Sequence, residues 1–239
     1  MANHTPTLDH LVILAHTLDE GSAWCEATLG VTPAAGGQHP LMGTHNRLLN
    51  IAAPGFAGAY LEIIAIDPQA SPQLPPGHRR WFDMDAPAWC QQVVDHGPAL
   101  IHWVARVPHI PTALHALQQQ GLDNGPALAA SRPTPEGELR WQISVRPDGQ
   151  RLLGGAVPTL IEWGDRHPTD RLAPCPVRLT DWRLQHPDAP RVSAALTAIG
   201  LHGVPVAEGP AALTAALTAT LHTPRGTVVL SSPTLASLG

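Results

Sequence analysis

Apolar positions recur along the chain in two rhythms. Residues 8–15 (Leu-Asp-His-Leu-Val-Ile-Leu-Ala) make a short β-rich apolar run. Thr17-Leu18-Asp19-Glu20 then carries a capping-box pattern that opens a helix stopping at Gly30. Residues 98–107 repeat the strand, and 110–120, with Leu114 and Leu117 at helical spacing, repeat the helix, which ends at Gly121. After each helix come turn-rich residues and two further strand candidates: 47–51 and Tyr60–Ile66 in the first unit, 139–145 and 158–163 in the second. Each unit reads βαβββ, its second strand poorly marked.

A third copy follows the join at Pro174-Cys175-Pro176, with a strand over 178–184, a helix over 190–199 and strands over 204–207, 213–222 and 227–231. The period of about 80 to 92 residues is too long for a solenoid and suits a few supersecondary units side by side. The organisation expected is a first βαβββ module over 7–67, a linker over 68–97, a second module over 98–170 and a third, degenerate module over 176–239. The linker, with Pro72, Pro75, Pro76 and Pro87, is expected to cross the surface and to hold a short helix around 89–94.

Composition narrows the function more than the fold. With 44% hydrophobic and 14% charged residues, 26 Pro and 21 Gly, the chain is globular and punctuated by loops, without long solvated helices. All 14 basic residues are arginine, which excludes Schiff-base chemistry and a P-loop lysine. The net charge is −5 and no basic run exceeds Arg79-Arg80, so no nucleic-acid partner is expected. Cys25, Cys90 and Cys175 show no CxxC spacing, which argues against a disulfide framework or a thiolate zinc site and fits a reducing cytosol. The first residues lack the pattern of a secretion signal and no apolar run approaches the roughly 20 residues of a membrane span. A cytoplasmic monomer or homodimer with no membrane partner is expected. No GxSxG, HExxH or GxGxxG occurs, so serine-hydrolase, zincin and dinucleotide chemistries have no support.

Candidate chemistry sits where the first two repeats agree. His10 and His102 occupy their first strands, Glu62 and Glu162 their last; the spacings are 52 and 60 residues, the excess falling in the turn-rich stretch 124–137. Period-2 alternation sets each of the four among apolar neighbours on its own face. A carboxylate there costs several kcal/mol unless paired or bound to a cation, so two Glu beside two His point to a divalent metal. A His–Glu pair that satisfies itself in the core is the alternative. A thiolate-free set of this kind suits Zn, Ni, Fe(II), Mn or Co. The third unit holds Asp181 near the place of the first-strand His but no acid in Thr227-Val228-Val229-Leu230, so it is expected to give structural cover and no ligand. Thr44, His45, Asn46 and Arg47, at a turn, are expected to line the mouth of the cleft and, with Tyr60, to recognise a polar or anionic small-molecule substrate. Trp103 and Trp163, next to His102 and Glu162, are expected on the opposite face beneath the helices.

Paired βαβββ units with His on strand one and Glu on strand four resemble the vicinal oxygen chelate superfamily. The strings His39-Pro40-Leu41-Met42-Gly43-Thr44-His45-Asn46-Arg47-Leu48-Leu49 and Tyr60-Leu61-Glu62-Ile63-Ile64-Ala65-Ile66-Asp67 are similar to its glyoxalase-like domain family. Glu138-Leu139-Arg140-Trp141 and Leu160-Ile161-Glu162-Trp163 carry the resemblance through the second unit, over roughly residues 7–168. The resemblance implies an α+β fold in which tandem modules form a cupped, barrel-like mixed sheet. It also implies a lyase- or isomerase-type enzyme in which an ion held by His10, Glu62, His102 and Glu162 chelates two substrate oxygens. Carboxylate proton transfer would fall to Glu162, with Glu62 as the second catalytic acid. An extradiol-type dioxygenase using His10, His102 and Glu162, or a binding or resistance protein without turnover, are the alternatives.

Overall fold

Thr17 caps α1 (Leu18–Leu29), its hydroxyl accepting from the Glu20 amide at 3.2 Å, and Gly30 at φ 77° ends the helix by donating to the Glu26 carbonyl. The computed structural model describes residues 5–134, 137–212 and 214–233. Around α1 the first unit builds β1 (Thr7–Leu14), β2 (Ala34–His39), β3 (Thr44–Asn50) and β4 (Tyr60–Ile66); α2 (Pro87–His96) follows. The second unit is β5 (Ala99–Arg106), α3 (Ile110–Gln119), β6 (Ala127–Thr134), β7 (Gly137–Ser144) and β8 (Thr159–Trp163).

These eight strands form one mixed sheet in the order β2-β3-β4-β1-β5-β8-β7-β6. Strand one runs parallel to strand four within each unit, and β1 pairs antiparallel with β5 to join the halves. The weakly patterned β2 and β6 are the outermost strands, where one neighbour and little burial leave the sequence free of a strong apolar signal. They approach each other across the gap, so the sheet curls into a nearly closed cup.

Alternation divides the apolar residues between two cores. Leu11, Ile13, Leu61, Ile63, Trp103 and Leu160 face the helices, whereas Val12, Leu14, Ile64, Val104, Ile143 and Ile161 face the inside of the cup. The segment expected to cross the surface instead plugs the cup: Trp81, Phe82 and Met84 are buried in the inner core. Phe82 and Asp83 adopt φ of 61° and 59°, a left-handed conformation costly for non-glycine residues. Asp83 is held there by its amide on the Gly149 carbonyl at 2.9 Å and by an ion pair with Arg151 at 2.7 Å.

The third unit repeats the element order with β9 (Arg178–His186), α4 (Ala189–Ala198), β10 (Val206–Glu208), β11 (Ala216–Thr223) and β12 (Gly226–Ser231). Its separate sheet has the order β10-β9-β11-β12, so the strand after the helix pairs with the first strand, a place that the last strand takes in the other two units. Val177, Leu179, Trp182 and Leu196 pack into the helix-side core, Trp182 against Trp103 with ring centroids 5.5 Å apart. Leu213, the expected start of a strand, and the end of the third module over 234–239 lie outside the described residues. Among the described residues no helix is long and apolar enough to cross a membrane.

Candidate active site in the cup

The inner face of the first unit carries a connected set of polar side chains, all supplied by strand alternation and one irregularity. His10 and Tyr60 are paired neighbours on β1 and β4, and their rings stack at 4.5 Å. Glu62, two residues on, sets Oε2 3.6 Å from His10 Nε2, and both side chains are almost wholly buried. Asp9 would face the helices under strict alternation. A β-bulge shifts the β1–β5 register between Leu8 and His10 and brings Asp9 to the His10 side.

Asp9 receives three ring N–H groups: from His10 Nδ1 at 2.7 Å, His167 Nε2 at 3.0 Å and Trp163 Nε1 at 3.0 Å. A carboxylate only accepts, so His10 carries a proton on Nδ1 and presents Nε2 to Glu62. Burial alone would raise the Asp9 pKa, but the hydrogen bonds and charges of His10 and His167 outweigh it and hold the carboxyl well below the usual range. Burial, then the charge of Asp9, pushes the Tyr60 hydroxyl well above its ordinary value.

Glu62 is oriented from its other side. Gly37 N–H donates to Asn46 Oδ1 at 2.8 Å, which turns Asn46 Nδ2 to donate to Glu62 Oε1 at 2.6 Å. Gly36 allows this approach, since a Cβ there would lie 2.0 Å from Asn46 Oδ1. His39 touches Asn46 Nδ2 at 3.4 Å and Thr44 Oγ1 at 3.0 Å, and burial lowers its pKa to about 4 despite the opposing charge of Glu62. The space among His10, Glu62, Tyr60 and the rings of Trp81, Phe82 and Trp141 is about 30 Å³, enough for a small head group or a water or two.

The second unit does not add its half. Val12, two residues after His10, pairs with Glu62; Val104, two residues after His102, pairs with Thr159. Thr159 therefore stands where Glu62 stands, and Glu162 lies three residues further on, an odd number that turns it to the opposite face. Its Oε2 accepts from the Ile110 amide at 2.7 Å, capping the start of α3. The expectation that Glu162 joins the cup is corrected by this register, as is the expectation that Trp163 lies beneath the helices: Trp163 faces Trp141 inside. His102 Nε2 accepts from the Thr159 amide at 3.2 Å and meets its hydroxyl at 3.1 Å, and burial, then Arg151, keeps the ring neutral.

Alternation also splits the segment expected at the cleft mouth. Residues 44–47 lie within β3, with Thr44 and Asn46 on the inner side. His45 lies 3.9 Å from Asp67, and Arg47 stands opposite Ile63 and Ala35 on the helix side. The four-ligand ion site and the two-His, one-carboxylate site both fail on geometry: His10 and Glu62 offer two donors, His102 is engaged elsewhere and Glu162 is across the sheet. No three His, Cys, Asp or Glu side chains converge to hold an ion among the described residues. A catalytic zinc-type ion takes three protein ligands, so the residues present do not fit a resident metal.

The glyoxalase-like domain family model matches residues 8–200. The chain belongs to this family. It shares its fold with a solved hypothetical protein from Staphylococcus aureus at 13% identity and TM-score 0.57, which covers 95% of this chain and 85% of that one. Methylmalonyl-CoA epimerase from Streptomyces coelicolor, in complex with 2-nitronate-propionyl-CoA, matches at 16% identity and TM-score 0.42, over 69% of this chain and 99% of that one. The epimerase from Mycobacterium tuberculosis matches at 19% and 0.37, over 66% and 86%. No curated protein matches. Membership of the glyoxalase-like family supports a small-molecule enzyme or binding role.

Sequence reasoning missed Asp9, His39, Arg132, Trp163 and His167. His39 and Arg132 lie on the poorly patterned edge strands, and a bulge hides Asp9. His167 follows β8, where His167-Pro168-Thr169-Asp170 forms a capping box that was the one available signal.

Proposed function

We propose that the protein is a lyase- or isomerase-type enzyme that moves a proton on a small oxygen-rich molecule, with Glu62 as the proton acceptor and His10 as its partner. The observation that carries this reading is the His10–Glu62 pair at 3.6 Å, each member fixed from behind by its own partner, Asp9 or Asn46, in a nearly enclosed, aromatic-walled space. Glu62 takes a proton from a carbon next to a carbonyl, and the C–H electron pair moves into that carbonyl to form an enolate. Return of the proton to the same or the neighbouring carbon gives an epimer or isomer. His10 Nε2, when protonated, donates to the enolate oxygen, and Asp9 stabilises the imidazolium through Nδ1. The aromatic walls limit water at the reacting carbon. No step runs through a metal.

The test is C–H exchange in D₂O, followed by NMR, on a panel of 2-oxo acids, 2-hydroxy carbonyl compounds and malonate-type acids. At least one should exchange, and Glu62→Gln should slow it about 1,000-fold with the melting temperature retained. Exchange that persists in Glu62→Gln would remove Glu62 from the chemistry, and panel members that bind wild type without exchanging would replace this reading with a binding protein.

A further inference from the structure

We infer that the ligand of this cup is an oxyanion-bearing small molecule whose anionic head is held by Arg132, and that it enters between the two edge strands. The inference rests on the cup being the functional site, and it adds the substrate class and the route.

Arg132 of β6 reaches across the gap in the sheet to β2 and lies against Gly37, where a Cβ would come 2.1 Å from Nη1. The guanidinium borders two spaces at once: the 30 Å³ space beside Glu62 and a larger vestibule of about 710 Å³ outside. The outer volume falls in the range of small-molecule sites, whereas the inner one accepts only a head group. A guanidinium carries five donors, and Nη1 of Arg132 is buried with no hydrogen-bond partner among the described residues. Burying a donor unpaired is costly, so an oxyanion able to take bidentate hydrogen bonds fits this position.

The surroundings carry the same sign. Arg166 and Arg171 line the vestibule, and Arg171 bears on Arg132 as a like charge, in a chain whose net charge is −5. Such a patch draws small anions to the mouth. Asp170, which also lines the vestibule, has its carboxylate engaged by the His167 amide at 2.8 Å. Burial lowers the Arg132 pKa, and Tyr60 and Glu62 on its inner side act in the opposite direction. An acid anchored here places the carbon next to its oxyanion toward Glu62, with the rest of the molecule in the vestibule.

Calorimetry with defined probes tests this. Phenylpyruvate and phenyl phosphate carry a carboxylate and a phosphate; methyl phenylpyruvate is the neutral counterpart of the first. At least one anion should bind about 10-fold or more tightly than the ester, and the stronger of the two identifies the oxyanion. Arg132→Met should remove that preference and leave ester binding unchanged, Arg132→Lys should restore part of it, and Arg171→Gln should weaken anion binding about 3-fold. Failure of both anions to bind wild type more tightly than the ester, or unchanged anion preference in Arg132→Met, would overturn the inference. If Arg132→Met does not fold, the acid–ester comparison on wild type and Arg171→Gln still decide it. Glu62→Gln should keep the preference, so failure of proton transfer and failure of anion recognition are read separately.

Discussion

His10 and His102 occupy matching places in two copies of one module, and their surroundings are opposite. Each follows a β-bulge residue, Asp9 in β1 and Ile101 in β5, where the β1–β5 register shifts. Each faces the strand-four position set by the same pairing, Glu62 in one unit and Thr159 in the other. With a carboxylate at both positions, His10 becomes one link in a polar chain from His167 to Asn46. With Ile and Thr there, His102 is a neutral core residue packed against Phe82 at 5.1 Å. Two side chains on a shared backbone separate a candidate catalytic half from a structural one. A repeat can thus conserve its geometry while confining its chemistry to one copy.

The largest effect expected from breaking this comparison is at the bulges. Asp9→Asn puts an amide where three ring N–H groups converge, so one of its own hydrogens meets a donor. It should cost roughly 3 kcal/mol in denaturant unfolding and abolish proton exchange. Ile101→Val at the matching bulge should cost about 1 kcal/mol and leave exchange unchanged. Similar costs at the two positions would show that the Asp9 network adds nothing beyond packing.

A second experiment tries to give the second unit what the first has. Thr159→Glu places a buried carboxylate beside His102 and should lower stability by about 2 kcal/mol or more. With His10, His102 and Glu62 on the same inner face, the variant gains one carboxylate donor that wild type lacks. Millimolar Zn or Ni should then raise its melting temperature and give near-stoichiometric metal after dialysis, while wild type shows neither. Equal metal content in both proteins would mean that the wild-type donors already suffice.

The smallest effect expected is on pH. His39, at about 4, and His102 are held neutral by burial, so their folded pKa values lie below the unfolded 6.5. Below that value the unfolded chain binds more protons, so stability is lost as pH falls from about 6.5 toward 4. Asp9 has the opposite charge type but the same direction of loss, in a lower window: its stabilisation is complete above 3.8 and fades only as pH drops below it. Urea titrations at pH 7.5, 5.5 and 4.5 should show the slope, and His102→Phe should flatten it. An unchanged slope in that variant would show that His102 does not stay neutral in the fold.

The βαβββ order of all three units is legible in the chain because strands and helices differ in apolar period, and caps such as Thr17 and Gly30 mark their ends. The resemblance to the glyoxalase-like family is legible too, and with it the cupped sheet. His10, Glu62 and Tyr60 follow from alternation on strands whose faces the pattern defines, whereas Asn46, expected at a turn, lies within β3. What the linear pattern could not supply is register. Aligning Glu162 with Glu62 counts residues from one end, whereas the sheet aligns strands by hydrogen bonds, and an odd offset exchanges the two faces. A bulge inverts the face of Asp9 without leaving a mark in the sequence, and edge strands such as β2 and β6 need no apolar pattern to form. The sequence by itself determined the elements, their repetition and the family. Only the tertiary structure decided which of two matched histidines meets a carboxylate and that Arg132 closes the cup, because both depend on pairing between residues far apart in the chain.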